Sequence, residues 1–205
     1  VIMNNDVGLQ AVLDTPDALR TLLLTLAFLD SRGAEILLTI LTVICGARDD
    51  GHRQVADAFH FFKQKKGEQQ RFATVMKLFE EAKDADLMTA YMSFINAIIL
   101  TPSDVDLRVN LRAEFRRLGV QRIFDRVRDR LEEDDYLLLA QQIDIFEEEE
   151  ESDDVEMRNR FSSLQVDVNN PQALWKALLE KVEPSGLVDT LKDMLRDLLL
   201  VPTDE

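Results

Sequence analysis

Strongly apolar segments with helical spacing recur along this chain, and that recurrence restricts its fold more than any single motif. They end near Asn4, Cys45, Ile98, Ile145 and Leu199, roughly every 40 to 55 residues, with one or two more amphipathic segments between each pair. Such a unit cannot bury its apolar face alone, so it stacks on its neighbours, which is the logic of armadillo and HEAT repeats. The competing fold is an irregular helical bundle, which needs no regular recurrence. With 7 glycines and 5 prolines in 205 residues, and no sustained apolar/polar alternation, strands have no support. The expectation is an all-α, armadillo-type α-α superhelical solenoid. It forms a single domain, residues 1–205, of about four repeats with the first one truncated.

Breakers and apolar spacing place the elements. A helix ends near Asn4–Gly8, and a short turn follows to Leu13. A second helix starts at Asp14 or Thr15 with Pro16 and runs to about Leu29. Ser31–Gly33 is read as a turn, and Ala34–Ala47 as a helix apolar on nearly all sides. Helices are expected over His52–Lys66, Glu68–Lys83, Asp86–Leu100, Ser103–Leu118, Gln121–Leu131, Asp134–Phe146, Gln172–Val182 and Gly186–Val201. Pro102 cannot continue the helix before it, and Gly119 can supply the left-handed residue that ends the next. The longest apolar stretches, Leu22–Leu29 and Ile36–Ala47, fall far short of a membrane span. No secretory-leader pattern opens the sequence, and its start within an apparent helix predicts a fragment of a longer chain. A single cysteine cannot form an internal disulfide, which fits a reducing compartment.

Lys and Arg number 24 against 39 Asp and Glu, a net charge of −15. That field repels phosphate backbones and anionic lipid, so neither nucleic acid nor a membrane surface is an expected partner, and a basic partner is. The chemistry of an enzyme is missing. His52 and His60 lack partners at metal spacing, Cys45 sits among apolar neighbours, and no Gly-rich phosphate loop occurs. No cofactor and no metal site are expected.

Two features point to binding instead. Asn4, Asn96 and Gln142 are amides in apolar surroundings near the ends of recurrent helices, so in a solenoid they share one surface. Each either holds a ligand or bridges adjacent repeats as a satisfied structural amide. Val43, Gly46 and Ala47 close a neighbouring helix with side chains small enough to admit an incoming apolar helix. Glu147–Asp154 carries seven acidic residues in eight. It is either a solvated helix end or loop, or a dock for a basic segment through Glu147, Glu148, Glu149, Glu150 and Glu151.

Several blocks resemble the regulatory armadillo region of diaphanous-related formins: Met3–Gly8 (MNNDVG), Leu41–Cys45, Ile95–Val120, Gln142–Glu148 (QIDIFEE) and Leu198–Val201 (LLLV). The most specific reads INA-x-I-x-TP, then D-x-R-V-x-x-R-x-E-x-x-x-LG, from Ile95 to Gly119. The resemblance implies an autoinhibitory module whose concave groove holds an amphipathic helix from the C-terminal end of the same polypeptide. A Rho-family GTPase, bound mostly through segments upstream, displaces that helix. Actin is reached indirectly through the rest of the formin, in the cytoplasm and at the cytoskeleton, and a homodimer can form through a segment after residue 205. Carried over by position, the groove comprises Asn4, Val43, Gly46, Ala47, Ser93, Asn96 and Gln142. Val43, Gly46, Ala47 and Ser93 depart from the commoner family residues. The alternative is an unrelated armadillo or HEAT adaptor that grips some other basic or helical peptide.

Overall fold

The computed structural model describes residues 15, 17–163, 166 and 170–200, and among these no strand occurs. The described helices are α1 (Ala18–Thr25), α2 (Ser31–Ala47), α3 (Gly51–Lys66), α4 (Ala73–Glu81), α5 (Ala85–Leu100), α6 (Val105–Arg117), α7 (Val120–Val127), α8 (Leu137–Ser163), α9 (Pro171–Val182) and α10 (Val188–Leu199). The chain divides into two compact units, Val1–Asp153 and Asp154–Glu205.

In the first unit, local chemistry sets the helix ends. The Asp30 carboxylate accepts the Gly33 amide at 2.8 Å and starts α2 at Ser31. Ser31–Gly33, expected to be a turn, is therefore the first turn of the helix. Asp84 caps α5 in the same way through the Leu87 amide at 3.1 Å. Asp104 behind Pro102 accepts the Asp106 amide at 3.0 Å and restarts the chain as α6. Gly119 takes φ +91° between α6 and α7, as its place in the sequence predicts. Gly51 serves a different need. A Cβ there would lie 2.0 Å from the Ile44 carbonyl oxygen, so only glycine lets α3 start against the end of α2.

Two expected helices have other lengths. The segment Glu68–Lys83 becomes helical only at Ala73, because Gly67 caps α3 at φ +69° and the following turn sends Arg71 across to Glu114. Asp134–Phe146 instead begins as a 3-10 turn, Asp134–Tyr136, and continues as the 27-residue α8.

One apolar core runs through the first unit. Its centre is a chain of rings in which Phe94 of α5 meets Phe59 of α3 at 5.5 Å. Phe59 then meets Phe72 at 4.9 Å, and Phe72 stacks on Phe115 of α6 at 4.7 Å. All four side chains are fully buried. Cys45 is buried as well, which pushes its thiol up to about 12 and leaves it an apolar filler. The second unit holds α9 and α10, neither with a fully buried side chain. Asn170 caps α9 by accepting the Gln172 and Ala173 amides, with Pro171 in the first turn. Among the described residues no helix is long and apolar enough to cross a membrane.

Phe72 links the rings of α3 and α6, so its truncation leaves a cavity between two repeats. Phe72→Ala is expected to lower unfolding stability by about 3–5 kcal/mol in a urea titration.

Candidate binding groove

The helices α2, α5 and the first part of α8 stand side by side in the first unit. α2 packs on α5, and α5 is tied to α8 by the Asn96 amide, which donates to the Gln142 backbone oxygen at 2.8 Å and to Gln142 Oε1 at 3.0 Å. Each helix turns a helical stripe outward. On α2 it consists of Ile36, Thr39, Val43, Gly46 and Ala47, all exposed; Val43 is 50% and Ile36 53% accessible. On α5 it comprises Asp86, Thr89, Ala90, Ser93 and Ala97, mostly half-buried. On α8 it comprises Leu138, Gln141, Gln142, Ile145 and Glu148.

Between these stripes lies a depression of about 310 Å³, lined by residues of α2, α5 and the start of α8. Of the residues expected to form the groove, Ser93 lines this depression. Val43, Gly46 and Ala47 lie on the exposed stripe of α2, further toward its C-terminal end. A Cβ at Gly46 would meet nothing within 4 Å, so that end of the stripe is open. Asn4 lies outside the described residues.

The two remaining amides do not both present themselves to a ligand. Asn96 is buried, 5% accessible, and spends its Nδ2 on Gln142. It bridges adjacent repeats, and its Oδ1 has no hydrogen-bond partner among the described residues. Gln142 is half-buried, so of this pair it alone has accessible surface for a partner.

The acidic run is neither a loop nor a helix end. It lies inside α8, and one of its faces is structural. Asp153, 1% accessible, accepts from Arg108 Nε at 2.8 Å and from Arg112 Nη1 at 2.6 Å. Glu150 accepts from Arg116 Nε at 3.2 Å and pairs with its Nη2. Glu150 thus already has an ion-pair partner, while Glu147, Glu148, Glu149 and Glu151 are exposed. Arg108, Arg112 and Arg116 recur every fourth residue on α6, which stacks them on one face. Nε and Nη2 of Arg112 are buried without a hydrogen-bond partner among the described residues, but the guanidinium lies 5.6 Å from the Phe146 ring and Arg116 5.0 Å from it. The ring face supplies part of the missing stabilisation. Sequence reading missed this network, although the four-residue spacing of the arginines was the signal for it.

Burial alone would push the Asp153 carboxyl up, but hydrogen bonds from Arg108 and Arg112 outweigh it and hold the group below the usual carboxylate range. A depressed folded-state value adds stability above the ordinary Asp range near pH 4, and that stability is lost as pH falls through the depressed value.

The fold, with α2, α5 and α8 side by side, is that of an all-α armadillo-type repeat domain. Residues 52–205 match the model of the Diaphanous FH3 Domain, and the chain belongs to that family. It is 32% identical over 213 residues to Formin-A of Dictyostelium discoideum, covering 100% of this chain and 17% of that protein. It is 27% identical to human Disheveled-associated activator of morphogenesis 2, covering 98% of this chain and 19% of the relative. The chain therefore spans under a fifth of the length of these curated relatives. Among solved structures it resembles E. histolytica Formin1 bound to EhRho1-GTPgammaS, with a TM-score of 0.67 and 17% identity over 77% of this chain and 54% of that one. At that identity the likeness is one of fold. Of the three ladder helices, α5 and α8 lie within the matched residues 52–205.

Asp153→Asn leaves two arginines facing a neutral amide. It is expected to cost about 3–5 kcal/mol at pH 7, the usual penalty for breaking a buried pair. Urea midpoints of variant and wild type should converge as pH falls below the Asp range, where the wild-type carboxylate also loses its charge.

Proposed function

We propose that this chain is the regulatory binding module of a formin, and that its ladder holds an amphipathic helix from the C-terminal end of the same polypeptide. The carrying observation is an exposed aliphatic stripe on α2, Ile36 and Val43, beside a depression walled by α5 and Leu138, in a chain of the FH3 family. Burying a leucine of the incoming helix contributes about 1.5–3 kcal/mol in area terms, of which the cost of association leaves only a part. Val43, Gly46, Ala47 and Ser93 supply the apolar and small contacts, and Gln142 fixes register with its amide while Asn96 holds it in place. Asn4 belongs to the same proposed surface.

A Rho-family GTPase opens the module by displacing the helix. A GTPase can do so only if its site overlaps the helix or it binds better to the helix-free form. The similar fold of E. histolytica Formin1, solved bound to EhRho1-GTPgammaS, supports a Rho-family GTPase as a partner. In the intact protein the released state would act on actin in the cytoplasm and at the cytoskeleton, with a homodimer formed through a segment after residue 205. The module works by binding and not by catalysis, and it needs no cofactor. An unrelated adaptor is no longer the alternative, because the family match covers three quarters of the chain.

Val43→Asp would bury an unpaired charge in the apolar contact. Calorimetry against the C-terminal segment of the same full-length polypeptide should show affinity reduced roughly 100-fold or more, with the circular dichroism spectrum unchanged. Unaltered affinity would remove the groove assignment.

The outer carboxylates of α8 are expected to steer a basic flank of that helix. Changing Glu147, Glu148, Glu149 and Glu151 to Gln, and leaving Glu150 to Arg116, should slow association several-fold and flatten its salt dependence in stopped-flow traces. Equal rates at low and high salt in wild type would make this face a solvated surface only.

A further inference from the structure

A second cavity, of about 370 Å³, lies where α2 and α5 begin and α4 ends, and it shares no lining residue with the depression of the groove. Leu26, Leu29, Ala34, Leu78, Ala82 and Leu87 make its walls apolar. Tyr91 of α5 lines it too and is only 1% accessible. Its ring stacks on Phe79 at 5.4 Å, which holds the side chain in place, yet its hydroxyl makes no hydrogen bond among the described residues. The chain's other tyrosine, Tyr136, donates to the Lys83 carbonyl at 3.3 Å. A buried hydroxyl left without a partner costs free energy, so the one on Tyr91 calls for an acceptor that the protein itself does not supply. Burial, and then the Glu81 carboxylate that lines the same cavity, push this hydroxyl up to about 12, so at neutral pH it keeps its proton and can donate.

The remaining polar groups narrow the ligand. Asp30 and Asp84 line the cavity but cap α2 and α5 through the Gly33 and Leu87 amides, and Glu81 pairs with Lys77 at 4.0 Å. Three carboxylates against the single ammonium of Lys83 repel an anion. We propose that this cavity is a binding site for a compact, neutral, apolar group carrying one carbonyl oxygen, which accepts from the Tyr91 hydroxyl. The apolar walls supply affinity, and the lone donor selects a group with an acceptor over a pure hydrocarbon. Such a carbonyl belongs to a small ketone or ester, or to the backbone beside an apolar residue of a partner. The site is independent of the helix groove.

The test uses the 205-residue chain and three probes: acetophenone, its carbonyl-free isostere ethylbenzene, and N-acetylphenylalanine methylamide. NMR titrations follow the methyl groups of the buried Ala34 and Ala82, both in the cavity wall. A carbonyl probe should bind about 5-fold tighter than ethylbenzene, the worth of one hydrogen bond. Tighter binding by acetophenone assigns the site to a free small ligand, and tighter binding by the methylamide assigns it to a partner's backbone; either supports the site. Tyr91→Phe should erase the carbonyl advantage, keep ethylbenzene affinity and leave the urea midpoint equal or higher. Val43→Asp, in the groove, should change none of the three affinities. Equal affinity for all three probes, an advantage that survives Tyr91→Phe, or no shift at either alanine would overturn the site. So would a urea midpoint lowered by Tyr91→Phe, because the hydroxyl would then already have its partner within the protein.

Discussion

The first unit depends on α6 being held from two sides. One face of this helix pairs Arg108 and Arg112 with buried Asp153 and Arg116 with Glu150, both on α8. On its other side, Glu114 receives Arg71 Nη2 at 2.6 Å, and Phe115 stacks on Phe72. A buried carboxylate without its guanidinium partners is far costlier than the pair is favourable, so the arrangement acts more as a specification than as a source of net stability. It fixes the rotation of α8 about its own axis, because Asp153 and Glu150 must face inward. Once that face is set, Leu138, Gln142 and Ile145 have only one direction left to point.

The ladder follows from this constraint. α2 and α5 share a continuous apolar packing surface, whereas the polar Asn96–Gln142 pair joins α5 to α8. Asn96 has one amide donor group and spends it twice on a single residue, so a shift of α8 along α5 would orphan it in a buried setting. Register between repeats is thus set by a polar pair where the aliphatic core would tolerate sliding. The groove inherits its dimensions from that register.

Much of the fold was legible in one dimension. Pro102, Asp104 and Gly119 mark helix ends through local chemistry that needs no tertiary partner, and the recurrence of apolar helices predicted the repeat. Ser31–Gly33 misled because Asp30 caps the helix earlier than a glycine-bearing tripeptide suggests. The acidic run misled for a different reason. Seven carboxylates in eight residues read as solvated, yet Glu150 and Asp153, three apart, share a face that meets arginines some 40 positions earlier in the chain. The amides divided similarly. Asn96 and Gln142 stood out as polar residues in apolar helices, but each was legible only as ligand-binding or structural, and the choice depended on a partner in another helix.

The sequence by itself determined the helices, their repeat period, the corners between them and the family motif from Ile95 to Gly119. These follow from backbone preference and from apolar spacing, which act over a few residues. Tertiary structure alone decided that the motif's Arg108, Arg112 and Glu114 are ties between repeats, that Asn96 faces Gln142, and that Glu35 and Asp86 end up lining one depression. Pairing of charges across helices depends on how each helix is rotated about its axis. That rotation is set by the packing of the whole core and is not written in any one segment.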